Sequence, residues 1–369
     1  MLDLNELLRH AADRRASDVH LSAGCRPWLR LDGEVASTPF EVLEPTDTEH
    51  IVRSIMPPER AEQLARAGDV DFGYTTAAGL RFRVRVFRQR GTLGLVLRLV
   101  PAEIPGFDAL GLPPVMRRLA DESRGLLLIT GPTGSGRTTT VAAIVDHINQ
   151  NSARHIVTVE EPVEFVHLPK RGFVTQREVG TDAPDQRAVL RGVLRLDPDV
   201  VVIGELADRD SIRVALSAAA AGHLVISTLP ATSVTEAVVR IIDLFPPHEQ
   251  RPVRTALAGC LRGVVSQRLL ERVDGKGRIP AVEVLMATTR AYDKIMDPNE
   301  THELEQVIAE GEYYGMQTFD QSLFSLHKNG LIGLHDALAA ASHAHDLRVA
   351  LQQAGLPVAS LDPAAANSW

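Results

Sequence analysis

Aromatic residues make up only 4% of this 369-residue chain, and positive charge is in the minority, with 39 lysines and arginines against 47 aspartates and glutamates. The formal net charge of −8 excludes a surface drawn as a whole to a polyanion, so neither DNA translocation nor any nucleic-acid partner is expected. Cysteine occurs twice, as Cys25 and Cys260, which supplies neither a disulfide framework nor a four-thiolate zinc site and suits two thiols in a reducing cytoplasm. No apolar run approaches the roughly 18 residues of a membrane helix. The opening "MLDLNELLRHAADRRASDVHLSAG" carries acids where a signal peptide has a basic end and an apolar block, so a cytoplasmic protein is expected. What is present is an ordinary globular composition, 44% hydrophobic and 23% charged, long enough for two domains and a tail.

Residues 3–15 carry Leu4, Leu7, Leu8 and Ala11 on one helical face. "PWLRLDGEV" reads as short strands around an Asp32-Gly33 turn, and a helix is expected from about 46 to 67. "RFRVRVF" alternates, with Phe82, Val84 and Val86 on one face and Arg81, Arg83 and Arg85 on the other. These features predict a small mixed α/β domain over 1–100. The proline- and glycine-rich stretch 101–114 then reads as a linker. From 115 to 289 the pattern changes to unalternating, β-branched runs, "GLLLIT", "HIVTVE", "DVVVIGE" and "HLVISTL", separated by helical segments, which predicts a parallel sheet wrapped by helices. Residues 290–356 read as helices that either cover the sheet or meet a partner, and 357–369 as a loose tail.

"GPTGSGRTTT", residues 131–140, follows one of these apolar runs and precedes a helical one. Gly131, four intervening residues, then Gly136, Arg137 and Thr138 match a phosphate loop everywhere except at the lysine, which is Arg137. Glycines let backbone N–H groups converge on phosphate oxygens at a helix N-terminus, and the Thr138 hydroxyl is placed to ligate magnesium. Thr133, Gly134, Ser135 and Thr139 complete the expected nucleotide contacts. "LDPDVVVIGELAD" ends an apolar strand in Glu205, a carboxylate suited to orient or deprotonate water beside the γ-phosphate. "VTVEEPVEFVH" supplies Glu160, Glu161 and Glu164 as further candidates for water or magnesium positioning.

Taken in order, "ASDVHLSAG", "GPTGSGRTTT", "VEEPVEFVH", "TQREVG", "LRLDPDVVVIGEL", "GHLVISTLPATS", "RIIDLFP", "LRGVVSQRLL", "EVLMAT" and "GMQTFDQSL" give the chain its likeness. It resembles the bacterial secretion ATPases, and within them the type IV pilus retraction ATPases of twitching motility, the PilT and PilU type. The resemblance implies a PAS-like N-terminal domain and a RecA-like P-loop ATPase domain with a helical C-terminal part. It implies ATP and Mg2+ as ligands and a hexamer, either homomeric or a mixed ring with a paralogue. The partner it implies is an inner-membrane pilus platform protein, met at the inner face of the cytoplasmic membrane. By position, Thr138 would serve magnesium, Glu164 would belong to an acidic box and Glu205 would activate water. Arginines of the N-terminal domain matching Arg81, Arg83 or Arg98 would neutralise phosphate charge, and Arg240 of "VVRIIDLFP" matches a family arginine of the nucleotide site.

Four positions depart from the family pattern: Arg137 for lysine, Glu161 for aspartate, Ala207 for an arginine, and Pro230 for a histidine. Three readings follow. The chain is a hydrolysing retraction motor, or it is a degenerate, non-hydrolysing paralogue acting as a structural or regulatory subunit of the motor. The third is an assembly or export ATPase of the same superfamily, against which stand the short N-terminal part and the missing cysteine cluster.

Overall fold

The computed structural model describes residues 2–31, 33–100 and 103–357, and the expected tail lies outside them apart from Pro357. The chain divides into two compact units. The first comprises Met1–Ile104, Val159–Leu168 and Gln176–Val189; the second comprises Pro105–Thr158, Pro169–Thr175 and Leu190–Trp369.

In the first unit, helix α1 (Leu4–Asp13) begins where the Asp3 carboxylate accepts from the amides of Asn5 at 2.9 Å and Glu6 at 3.3 Å, satisfying donors that the first helical turn leaves over. Its buried residues are the expected Leu4, Leu7, Leu8 and Ala11. The expected helix over 46–67 is two helices, α2 (Pro45–Ile55) and α3 (Pro58–Ala67). Pro57 and Pro58 break it, because a proline ring clashes with the preceding turn and forces the residue before it out of the helical region. Six antiparallel strands, β1 (Asp18–Ser22), β2 (Trp28–Leu31), β3 (Glu34–Ser37), β4 (Asp69–Thr75), β5 (Arg81–Gln89) and β6 (Thr92–Leu99), form a sheet in the order β3-β2-β1-β6-β5-β4. Phe82, Val84 and Val86 of β5 are fully buried with Leu95 and Leu97 of β6, Val70 and Phe72 of β4, and the leucines of α1. Each such side chain contributes about 1.5–3 kcal/mol by leaving water, so the alternation of "RFRVRVF" determines which face of β5 meets the core.

The second sheet contains β7 (Gly125–Thr130), β8 (His155–Glu160), β9 (Phe173–Glu178), β10 (Val200–Glu205), β11 (Leu224–Leu229), β12 (Leu261–Glu271) and β13 (Arg278–Met286), in the order β13-β12-β7-β11-β10-β8-β9. Strands β12, β7, β11 and β10 are mutually parallel, and β13 returns antiparallel to β12, so the sheet is mixed rather than purely parallel. Helices α4 (Val115–Ala120), α5 (Arg137–Asn151), α6 (Gln186–Val193), α7 (Arg209–Ala220), α8 (Val234–Asp243) and α9 (Pro247–Cys260) accompany these strands. The C-terminal helices are α10 (Thr289–Met296), α11 (Leu304–Ala309), α12 (Phe319–Lys328), α13 (Leu334–Ala340) and α14 (Ala344–Gln353). Phe319, Leu323, Ala337, Leu347 and Leu351 from α12–α14 bury themselves with Leu270, Ile279 and Ala281 of the β12–β13 hairpin. These helices therefore cover the sheet. Among the described residues no helix is long and apolar enough to cross a membrane.

Candidate nucleotide site

The six residues of β7 are all buried, and the strand delivers the chain to Gly131. Gly131, Gly134 and Gly136 have φ of 148°, 81° and 88°, conformations that L-residues rarely adopt. Gly131 is also short of space: a Cβ there would lie 2.5 Å from the Gln267 carbonyl oxygen and closer still to Ser135 Oγ. Gly136 is the residue before α5, and no side chain caps that helix, so its first N–H groups are left over at the loop. Gln267 of β12 braces the turn from behind, its buried Nε2 donating to the Ser135 carbonyl at 2.8 Å. Thr133 and Thr138 are exposed, whereas Ser135 and Thr140 are buried.

Three buried side-chain polar atoms at this loop have no hydrogen-bond partner among the described residues: Ser135 Oγ, Arg137 Nη1 and Gln267 Oε1. A native interior rarely leaves such groups unpaired unless a ligand or ion satisfies them. The Ser135 hydroxyl, three left-handed glycines and an uncapped helix N-terminus together fit a phosphate chain, whereas Gln267 Oε1 is an acceptor and Arg137 Nη1 faces a carboxylate. The exposed Thr138 hydroxyl, on the first turn of α5, fits a magnesium ion held beside it.

Glu205 ends β10, two strands from β7 in the sheet, on the same carboxyl side. The β10–β11 register shifts between Ile203 and Glu205, while the hydroxyls of Ser227 and Thr228 donate at 2.6 Å to the carbonyls of Ile203 and Gly204. The displaced strand end leaves Glu205 partly exposed, with Oε2 at 3.5 Å from Arg137 Nη1. Arg137 thus faces the carboxylate expected to activate water, as a side chain 14% exposed against 45% for Glu205. Arg240 on α8 points elsewhere, its Nη1 donating to the Pro230 carbonyl at 2.7 Å.

The other expected residues lie in the first unit. Glu164 pairs with Arg83 at 3.5 Å, both side chains being 40% exposed. Arg98 pairs with Asp18 at 2.8 Å, and Arg83 and Arg98 are directly opposite in the β5–β6 register. Glu160 accepts from Gln176 Nε2 at 3.0 Å, and Glu161 is exposed. Arg81 is held by Glu178 in a buried ion pair. Spacing and motif give no role to Gln267, Glu178 or Glu283, although "SQRLL", "TQREVG" and "EVLMAT" contain them; a polar residue within a strand-forming segment is the signal each one carries.

Glu283 on β13 is 6% exposed and accepts from the Val234 amide, at the start of α8, at 2.7 Å. Burial pushes its carboxyl up to about 7, against the opposing pull of that amide and of Arg268. Burial likewise pushes the Cys260 thiol up to about 11, an inert group.

The family model for type II/IV secretion system proteins matches residues 2–315. The chain is 38% identical over 336 residues to the type IV pilus retraction ATPase PilT of Pseudomonas aeruginosa, covering 91% of this chain and 97% of that one. It is 36% identical over 351 residues to the type IV pilus ATPase PilU of the same organism, covering 95% and 92%. A crystal structure of the pilus retraction motor PilT with bound ADP superposes with a TM-score of 0.84 at 41% identity, covering 93% of this chain and 98% of that one. A match of such extent to fold, loop and relatives alike is not produced by a phosphate loop alone, and the chain belongs to the secretion ATPases, in the branch of the type IV pilus retraction ATPases.

Proposed function

We propose that this chain binds ATP with Mg2+ and hydrolyses it as a motor of type IV pilus retraction. In this reading the loop 131–136 and the first turn of α5 hold the phosphates, with Thr133, Gly134, Ser135, Arg137 and Thr139 around them. Thr138 holds magnesium, which when bound neutralises phosphate charge. Glu205 orients water and takes its proton. Glu164 supports the acidic side of the site, and Arg83, Arg98 and Arg240 offer guanidinium groups to phosphate charge, within a protomer or across a ring. The ring is a hexamer, of this chain alone or mixed with a paralogue. It works at the inner face of the cytoplasmic membrane against the pilus platform protein.

The observation that carries this reading is Ser135 Oγ, buried with no hydrogen-bond partner among the described residues, on a loop where Gly131 leaves no room for a side chain and the first N–H groups of α5 are uncapped. A second reading, a non-hydrolysing subunit, draws on the Arg137–Glu205 pair, which engages the water-activating carboxylate, and on Pro230, which has neither an ionisable ring nor an N–H. Phosphate release by the purified ring separates the two. Hydrolysis that falls about a hundredfold or more in Glu205→Gln, with nucleotide binding retained, supports the motor. No release from a folded parent ring supports the subunit. Arg137→Lys removes the guanidinium that faces Glu205 and is expected to raise the rate, since a compact ammonium reaches phosphate oxygens without a planar fork to offer the carboxylate.

A further inference from the structure

Glu178, the last residue of β9, is 3% exposed and is a meeting point of several segments. Its Oε2 accepts from Arg81 Nη2 of β5 and from the Val163 amide at 3.0 Å. Its Oε1 accepts from Thr181 Oγ1 at 2.8 Å, and its own amide donates to Asp182 Oδ2 at 2.7 Å. Arg81 is held from its other side, Nη1 donating to Thr75 Oγ1 of β4 at 3.0 Å. A glycine makes room for the pair: a Cβ on Gly73 would lie 2.8 Å from Glu178 Oε1 and closer still to Arg81 Nη2. The Arg81 side chain is 19% exposed, whereas those of Arg83 and Arg98 are 40% and 68% exposed.

We infer that Arg81 is a positioning residue rather than a phosphate ligand. With Glu178, in the space left by Gly73, it fixes the Val163 amide and so the segment 161–164 that presents Glu164. The inference rests on the proposed role of Glu164 in the hydrolytic site. A carboxylate that holds a guanidinium and a backbone amide at once is a strong anchor, because both bonds are charge-assisted and shielded from water. The charge of Arg81 is engaged in that anchor. Arg83 and Arg98 are left as the more exposed guanidiniums of the same sheet face.

Steady-state kinetics and amide exchange on the intact ring test this. Arg81→Ala, Glu178→Gln and Gly73→Ala should each lower kcat by about ten- to a hundredfold while the KM for ATP stays within about threefold, as expected when a group is misplaced rather than a contact deleted. Gly73→Ala deletes no polar group, so it carries the test where Glu178→Gln fails to assemble. Arg81→Lys should recover part of the loss, and the Arg81→Ala/Glu178→Gln double variant should be no worse than the poorer single variant. The Val163 amide should exchange faster in each impaired variant. A large rise in KM in Arg81→Ala, or a further loss on combining it with Glu178→Gln, would make Arg81 a phosphate ligand and overturn the inference. Unchanged Val163 exchange would overturn it too. A parent ring without hydrolysis counts against the proposed function instead, and the exchange arm then decides the anchor by itself.

Discussion

Around Gly131–Thr138 most polar groups come from the backbone and from residues adjacent in sequence, joined by Gln267 and Glu205, and some of them have no hydrogen-bond partner among the described residues. Around Glu178 they come from a guanidinium 97 residues away and an amide 15 residues away, and the carboxylate uses both oxygens. Both regions gather charge, yet the loop leaves the first N–H groups of α5 over for a ligand, whereas at Glu178 both carboxylate oxygens and both terminal nitrogens of Arg81 are engaged, with Arg81 Nε lacking a hydrogen-bond partner among the described residues. Counting arginines therefore does not locate a phosphate site; their partners do. The two buried glutamates show the same contrast. Glu178 meets a guanidinium, an amide and a hydroxyl, whereas Glu283 meets the Val234 amide, and Arg268, near it, donates to the carbonyls of Thr232 and Ala340.

The loop is most vulnerable at Gly131. Gly131→Ala combines a φ of 148° with a Cβ driven against the Gln267 backbone, and is expected to cost about 2–4 kcal/mol of stability and to abolish measurable nucleotide binding. Calorimetric titration with ADP together with thermal melting checks it; binding retained near the parent value would mean that the backbone does not form the cradle. Gly73→Ala, whose nearest obstacle is the flexible end of Arg81, should leave ADP binding in place.

At Glu283 the contrast becomes a pH dependence. A carboxyl raised from 4.5 to about 7 favours folding in its protonated form, so its contribution is complete below about pH 4.5 and is lost as pH rises through about 7. The loss amounts to about 3 kcal/mol at most. Glu283→Gln keeps an acceptor for the Val234 amide without a charge, and should raise the melting temperature at pH 8 while leaving it nearly unchanged at pH 5. An equal shift at both values would show that packing and not ionisation is at stake. Glu305 and Asp320, which push the same carboxyl upward, should give smaller shifts of the same sign when neutralised.

The smallest effect belongs to Arg83. Its pair with Glu164 is 3.5 Å long and 40% exposed on both sides, so Arg83→Ala should change stability by no more than about 0.5 kcal/mol. Chemical denaturation measures that directly. A hydrolysis rate that nevertheless falls at least tenfold would identify Arg83 as a group that works on nucleotide, in contrast to the less exposed Arg81.

Local chemistry explains which parts are legible in the sequence. The α1 face, the core side of β5 and the strand-loop-helix around "GPTGSGRTTT" each depend on residues within a turn or a pleat of one another, so spacing alone reveals them. Pro57-Pro58 is equally local, yet helical periodicity on both sides conceals a break that proline chemistry requires. Gln267 behind the loop, Gly73 beneath a guanidinium and Glu178 as an anchor cannot be read that way. Gln267 and Glu178 act on residues about a hundred or more positions away, and Gly73 makes room for the same distant carboxylate.

By itself, the sequence determined that this chain has a phosphate loop with an arginine in the lysine position, a carboxylate ending a later apolar strand, and the ordered motifs of a secretion ATPase. Only the tertiary structure decided what each charge does: Arg137 faces Glu205, Arg240 holds the Pro230 carbonyl, and Arg81 is engaged by Glu178. A side chain's charge is written in its residue type, but its partner depends on which distant segments the sheet brings within about 3 Å.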